Sequence, residues 1–404
     1  MADLQSVSAA VAQLYDTYPF PPDPLSDAPP PGYNWRWNWN TAYSFCTAQK
    51  PSRQAIRILD AGCGSGVSTE YLVHLNPQAE VVGIDLSAGT LAVAQERCQR
   101  SGVADRVQFQ QLSLFDVDQL PGSFDLINCV GVLHHTADPI QGIQALAQKL
   151  APGGIFHIFV YGELGRWEIR LMQEAIALLQ GSRRGDYSQG VQLGRQIFAA
   201  LPEHSRLKKR EQERWSLENQ RDECFADMYV HPQEIDYNIP TLQTLIAASG
   251  LEFVGFSNPK VWQLERLIGA NPDLMAHAAS LDEWQRYRLV ELLDPESITH
   301  YEFFLTRPPL PRVDWSEDAT LLAAVPELNP CLDGWPNLCF FNSDYQIINL
   351  SEPEHAFLMA CEANTQSPQR TVADLMQDCG LTPPQVRSLL ERQLLLLSVE
   401  ASEI

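Results

Sequence analysis

The 404-residue chain lacks three features, each of which would have fixed a class of protein. No apolar run approaches the roughly 20 residues that a membrane-spanning helix requires; the longest aliphatic block is Leu394–Leu397. There is no C-x-x-C pair, and the nine cysteines are scattered and odd in number. That argues against a disulfide frame or a zinc site and for reduced thiols. Positive charge is scarce: 28 Lys and Arg face 50 Asp and Glu, for a formal net charge of −22. A surface of that sign repels phosphate backbones, so no nucleic-acid partner is expected, whereas a basic partner would be attracted. No charged-then-apolar leader opens the chain. The expectation is a cytoplasmic protein without a membrane span or a resident metal. Its 45% apolar content suffices for one large core or two or three smaller ones.

From Arg57 to Val160, short apolar runs alternate with helical stretches, which predicts an α/β fold around a parallel sheet. Candidate strands are IRILDAG (56–62), AEVVGIDL (79–86), VQFQQL (107–112), FDLINCVGVL (124–133) and GIFHIFVYG (154–162). The stretch GTLAVAQERCQRSG has helical spacing and ends on Gly102, a candidate C-cap. LEFVGFS (251–257) and HYEFFLTR (300–307) would complete the sheet. Residues 163–250 and 258–298 read as helical and are too long for simple connections, so they predict a cap. RPPLPR (307–312) reads as a stiff linker. Beyond it come a possible hairpin, NLCFFNSDYQIINL, and three helical patterns, with Thr371 and Asp374 at capping distance. A small winged-helix-like domain is expected there. Arg312, Arg370, Arg387 and Arg392 stand against fourteen acidic residues from Val313 to Ile404, so DNA reading is not. The expected division is an aromatic, proline-rich arm and lid (1–50), a core (51–162), a helical insertion (163–250), the end of the sheet with a second insertion (251–307), and the C-terminal domain (308–404).

The chemistry is concentrated in ILDAGCGSG (58–66). A strand ends in Asp60 and glycines follow at 62, 64 and 66, where they permit positive φ and close approach of a ligand. The dinucleotide pattern G-x-G-x-x-G fails, because Val67 stands where the third glycine should fall. Asp85 ends the second strand, where a carboxylate can accept two neighbouring ribose hydroxyls; alternatively it caps the helix that follows.

The D-x-G-x-G-x-G form resembles the first motif of class I S-adenosylmethionine-dependent methyltransferases, and the resemblance spans residues 50–162. It implies a Rossmann-like seven-stranded core and S-adenosylmethionine as cofactor. Asp60, Gly62, Cys63, Gly64 and Gly66 would then lie beside the methionine part, with Asp60 near its ammonium, and Asp85 and Leu86 at the ribose. Ser113 and Leu114 would sit at the adenine edge, and Gly131 and Val132, from VGVLHHTADP (130–139), would line the cofactor. His134 and His135 are adjacent on a turn and cannot both point one way.

Methyl transfer from a sulfonium is an in-line displacement that needs alignment and exclusion of water. LYDTYPFPPDP (14–24) and GYNWRWNW (32–39) suit that need, with Tyr15, Tyr18, Phe20 and Trp35 as a lid whose direction the prolines fix; alternatively the arm merely covers an exposed sheet face. Tyr161, at the end of the fifth strand, and Asp227, His231 and Tyr237 from DECFADMYVHPQEIDY (222–237) are the acceptor-side candidates. Asp227 and His231 would share a helical face, if Pro232 does not end the helix first. The whole layout resembles bacterial and cyanobacterial methyltransferases with a Y-D-x-Y-P-F-P arm and an insert bearing Y-V-H-P, and is similar to cyanobacterial protein-lysine methyltransferases. That resemblance implies a protein substrate with an accessible lysine, ferredoxin–NADP reductase among the candidates. A lipid-like or quinone small-molecule acceptor, and a non-catalytic cofactor-binding scaffold, remain as alternatives.

Overall fold

The computed structural model describes residues 4–26, 34–364 and 369–399. Gly32 and Tyr33 of the second aromatic cluster lie outside them. The seven apolar runs fold as β1 (Arg57–Ala61), β2 (Glu80–Asp85), β3 (Val107–Gln111), β4 (Phe124–Val130), β5 (Leu150–Tyr161), β6 (Glu252–Phe256) and β7 (His300–Thr306). They form one sheet in the order β3-β2-β1-β4-β5-β7-β6. Parallel pairings include β1 with β4, where Leu59 lies opposite Ile127, and β2 with β3, where Val82 lies opposite Gln108. β7 runs antiparallel to both β5 and β6. This is the Rossmann-like class I methyltransferase arrangement that the sequence predicts. β4 up to Cys129 and most of β5 are buried, as expected of central strands covered on both faces, which read as continuous apolar runs. β5 already begins at Leu150, where a register shift between Phe124 and Leu126 accommodates the extra length.

The chain divides into two compact units: residues 1–28, 57–70 and 81–308, and residues 29–56, 71–80 and 309–404. In the first, the sheet core gathers Leu59, Ile127, Phe156, Ile158, Leu242 and Phe303, all fully buried. A second apolar cluster joins Leu14 of the helix Leu4–Thr17 to Ile169, Met172, Phe225 and Tyr229 of the first insertion. That insertion is helical at Trp167–Gln180, Tyr187–Ala200 and Asp222–Tyr229, and the second at Pro272–Ala278 and Glu283–Leu293. In the other unit, β8 (Val325–Leu328) pairs antiparallel with β11 (Leu395–Ser398), and β9 (Cys339–Phe341) with β10 (Ile347–Asn349), the anticipated hairpin. Thr371 and Asp374 close a reciprocal capping box on the helix Val372–Cys379. The helix Ala88–Arg100 is capped by Ser101 rather than by Gly102, which takes the left-handed turn just beyond. Among the described residues no helix is long and apolar enough to cross a membrane.

Candidate functional site

The loop after β1 takes its shape from Gly62, Gly64 and Gly66, with φ of 78°, 53° and 82°, values that side chains disfavour. Its neighbours leave no room for a side chain either. A Cβ on Gly62 would come within 2.4 Å of Val132, and one on Gly64 within 2.5 Å of the Phe20 carbonyl oxygen. The Gly62 and Cys63 amides donate to the Ile84 carbonyl of β2 at 2.8 and 2.9 Å. The Gly64 amide donates to Asp85 Oδ2 at 2.9 Å, and the Ser87 amide to Asp85 Oδ1 at 2.9 Å. Burial raises the Asp85 pKa and these amides oppose the rise. Each oxygen retains a lone pair for a ligand hydroxyl. The following helix is capped by Ser87, whose hydroxyl accepts from the Thr90 amide at 2.9 Å, so Asp85 is not its cap.

Other cofactor-side residues fall at the same ends of the strands. Gly131, after β4, has φ 77° and open space where a Cβ would point. Ser113 accepts from the Phe115 amide at 3.2 Å, Leu114 is buried, and the Leu86 carbonyl accepts from Gln111 at 3.0 Å. Asp60 departs from expectation. It is 1% exposed, and its oxygens accept from Ser68 (2.7 Å), Thr69 (2.6 Å) and Asn128 (2.8 Å). This carboxylate faces inward and ties the loop to β4 and the next helix, instead of facing a ligand ammonium. The thiol of Cys63 is likewise buried, and desolvation beside Asp85 and Asp60 pushes its pKa up.

The N-terminal arm seals this cleft. Ser65 donates its amide to the Phe20 carbonyl (3.0 Å) and its hydroxyl to the Pro21 carbonyl (2.6 Å). Arg97, 1% exposed, donates to the carbonyls of Ser65, Pro24 and Asp23 at 3.0, 3.1 and 2.7 Å. Asp16 accepts from the Ser87 hydroxyl and the Gly89 amide. Tyr15 donates to Asp227 Oδ1 at 2.8 Å. Tyr18 points elsewhere: its hydroxyl reaches Ser188 at 3.2 Å. Trp35 belongs to the second unit, where its indole donates to Asp344 at 3.0 Å. Of the four anticipated lid residues, therefore, Tyr15 and Phe20 face the site.

A cavity of about 440 Å³ opens beside the arm, walled by Phe20, Phe159, Tyr161, Trp215, Arg166 and Asp227. Arg166 lies 3.4 Å above the Tyr161 ring and 3.5 Å from Glu234. Tyr237 does not line the cavity. Its amide donates to the Tyr161 carbonyl at 2.9 Å and its carbonyl accepts from Glu163 at 2.6 Å, so it braces Tyr161 by backbone pairing. The helix carrying Asp227 ends at Tyr229, and His231 follows in the turn instead of one helical step above Asp227. The two still meet, together with His135: one ligand atom of each lies within 4.8 Å of the others, and all three residues are buried. The His135 and His231 rings stack at 3.7 Å.

Burial shifts each of these groups toward its neutral form. Asp227 is raised to about 6, against the stabilising Tyr15 bond and Arg166 charge. His135 is lowered to about 3, and His231 well below its ordinary value. His135 Nδ1 faces the Gln233 carbonyl at 2.9 Å and so carries the proton, leaving Nε2 a bare acceptor. His231 Nδ1 accepts from the Gln233 amide at 3.1 Å, so its Nε2 carries the proton and has no partner. With Nδ1 accepting from an amide and Nε2 protonated, His231 offers no free lone pair to a metal.

A family model described as a methyltransferase domain matches residues 59–156, the stretch that carries the loop, Asp85 and Gly131. Those residues form a class I S-adenosylmethionine-dependent methyltransferase domain. S-adenosylmethionine is the cofactor of this methyltransferase, and the glycine cradle, the ligand-ready oxygens of Asp85 and the space at Gly131 fit it. An uncharacterised protein of Synechococcus sp. is 64% identical over 392 residues, which covers 97% of this chain and 94% of that protein. The ubiquinone biosynthesis O-methyltransferase of Methylococcus capsulatus is 37% identical over 99 residues; the match spans 24% of this chain and only 40% of that enzyme. Among solved structures, PKMT2 from Rickettsia typhi in complex with AdoHcy superposes over 92% of this chain and 77% of its own, with TM-score 0.61 and 15% identity, a likeness of fold.

Proposed function

We propose that this methyltransferase acts on an amine, and that the amine is the side chain of a lysine in a protein. The observation that carries the reading is the buried Asp227, raised to about 6 beside the bare Nε2 of His135 and open to the aromatic-walled cavity. S-adenosylmethionine supplies an electrophilic methyl group on a sulfonium. Asp85 and Leu86 would hold its ribose, Ser113 and Leu114 its adenine, and Gly62, Cys63, Gly64, Gly66, Gly131 and Val132 its methionine side. Phe20, Phe159 and Tyr161 exclude water from the entering amine, which lowers the amine's pKa. Asp227 takes the proton, and His135 Nε2 orients the nitrogen so that its lone pair is free for attack. Tyr15 fixes Asp227, and His231 packs His135 in place.

The likeness to PKMT2 extends through the insertions, which favours a macromolecular acceptor. The quinone alternative draws on the O-methyltransferase relatives, but their match is confined to the cofactor core. Incubating the purified protein and radiolabelled S-adenosylmethionine with a cell lysate separates the two. Label is expected in protein, recovered as methyl-lysine after hydrolysis. Label confined to the organic extract would refute the lysine reading.

A further inference from the structure

Beyond Asp227, the acceptor cavity carries three other charged residues, Arg166, Arg214 and Glu218. Arg166 is held at 3.5 Å by Glu234 and stacked on Tyr161. Glu218 is exposed. Arg214 differs from both. It donates Nη1 to the Glu296 carbonyl at 2.7 Å and, among the described residues, makes no ion pair. The neighbouring guanidinium of Arg210 has taken the nearby carboxylates: Glu168 at 3.0 Å, and Glu296 in a short contact. Burial and the charge of Arg210 depress the Arg214 pKa. The cavity wall thus presents a guanidinium that no carboxylate engages directly among the described residues, although the charges of Glu168 and Glu296 reach it and the Trp215 ring lies 5.1 Å away.

We infer that Arg214 forms an anion subsite at the acceptor cavity and selects lysines that have a carboxylate side chain as their neighbour in sequence. The inference rests on the amine-acceptor reading above and deepens it. A guanidinium presents a fixed fork of donors that matches a carboxylate, and it binds one more strongly than it binds a neutral acceptor. An acidic neighbour of the target lysine would supply the direct ion pair that Arg214 does not make among the described residues, while the lysine itself enters toward Asp227. Without such a residue, the acidic surface would favour basic peptides indiscriminately. Arg214 narrows that choice.

The test compares two acetylated and amidated peptides, identical except that the residue before a single lysine is Glu in one and Ala in the other. Transfer from radiolabelled S-adenosylmethionine by the full-length protein is measured for each. The Glu peptide is expected to show a kcat/KM about fivefold higher, carried by KM, as a partly exposed ion pair of about 1 kcal/mol gives. Arg214→Gln should bring the ratio near one, Arg214→Lys should restore part of it, and Arg214→Glu should invert it in favour of a peptide with Arg before the lysine. Equal rates on both peptides, or a preference that survives Arg214→Gln, would overturn the subsite and leave the amine reading standing. If neither peptide takes label while the same preparation labels an extractable small molecule, the lysine reading falls, and the subsite falls with it.

Discussion

Replacing Asp227 with Asn should make the methyltransferase more stable and much less active. Asp227 has an ordinary value of 3.8 and stands at about 6 in the fold, with desolvation as the first cause. At about 1.36 kcal/mol per pH unit, that gap is worth about 3 kcal/mol. The sign follows from proton binding. Between pH 3.8 and about 6 the native state holds this proton more tightly than the unfolded chain does, so stability falls as pH rises through that window. Above it the whole penalty applies. Asn removes the ionisation and leaves a neutral bond from the Tyr15 hydroxyl, as in the protonated acid; the value of about 6 already contains the stronger bond to the carboxylate. The net expectation is a gain of about 3 kcal/mol at about pH 7.5, read by urea denaturation, with the advantage gone at about pH 4. In the wild type, kcat should rise through about pH 6 as Asp227 ionises. In the variant that limb should vanish and kcat fall by about 10²–10⁴-fold, the contribution of a positioned base. Full activity in the variant, or an unchanged rising limb, would refute the assignment of Asp227 as proton acceptor.

The remaining predictions concern the cofactor cleft and its seal. Asp85→Ala removes the acceptor for the Gly64 and Ser87 amides as well as the ligand-facing oxygens. Losing about 1.5–3 kcal/mol of charged hydrogen bonding should weaken S-adenosylhomocysteine binding in calorimetry by about 10- to 100-fold; undiminished affinity would remove Asp85 from the ribose. Arg97→Met deletes three bonds to arm and loop carbonyls and leaves Glu70, 3.8 Å away and without a hydrogen bond, buried alone. A destabilisation of about 3–5 kcal/mol is expected, with partial recovery in Arg97→Met/Glu70→Gln; an unchanged urea midpoint would show that the arm is held by other means.

The sheet was legible because its central strands are buried on both faces, and such burial writes itself as apolar runs such as LINCV in β4 and IFHIFV in β5. The glycine loop was legible for a related reason: positive φ at three alternate positions leaves few residues but glycine. What the sequence hid is what the tertiary fold brings together. Asp60 stands at the motif position, yet the hydroxyls that satisfy it come from Ser68 and Thr69 on the next helix and the amide from Asn128 on β4. Helical spacing pairs Asp227 with His231, but the helix stops at Tyr229; they converge because the Gln233 backbone fixes His231 and His135 together. Arg166 gave no local signal, since its partner Glu234 lies 68 residues away and its ring neighbour Tyr161 on a different element. Trp35 stands in an aromatic segment like that of Phe20, but it belongs to the other unit, where its indole donates to Asp344.

A lysine reaches a sulfonium as a nucleophile only after losing a proton it holds with a pKa near 10.4, and an acidic protein makes that harder by stabilising the ammonium. Passing the proton to an ordinary carboxylate at 3.8 spans about 6.6 pH units, about 9 kcal/mol; passing it to Asp227 at about 6 spans about 4.4, about 6 kcal/mol. Desolvation narrows the gap from the other side as well, because transfer within the pair converts two buried charges into two neutral groups. The aromatic walls of Phe20, Phe159 and Tyr161 therefore act on both partners at once, raising the acid and lowering the amine. Phe20 sits on the arm whose carbonyl binds Ser65 of the glycine loop. The segment that closes the cofactor cleft thus also dries the acceptor cavity, so an arm that does not seat on the loop should show its defect first in the pH dependence of transfer.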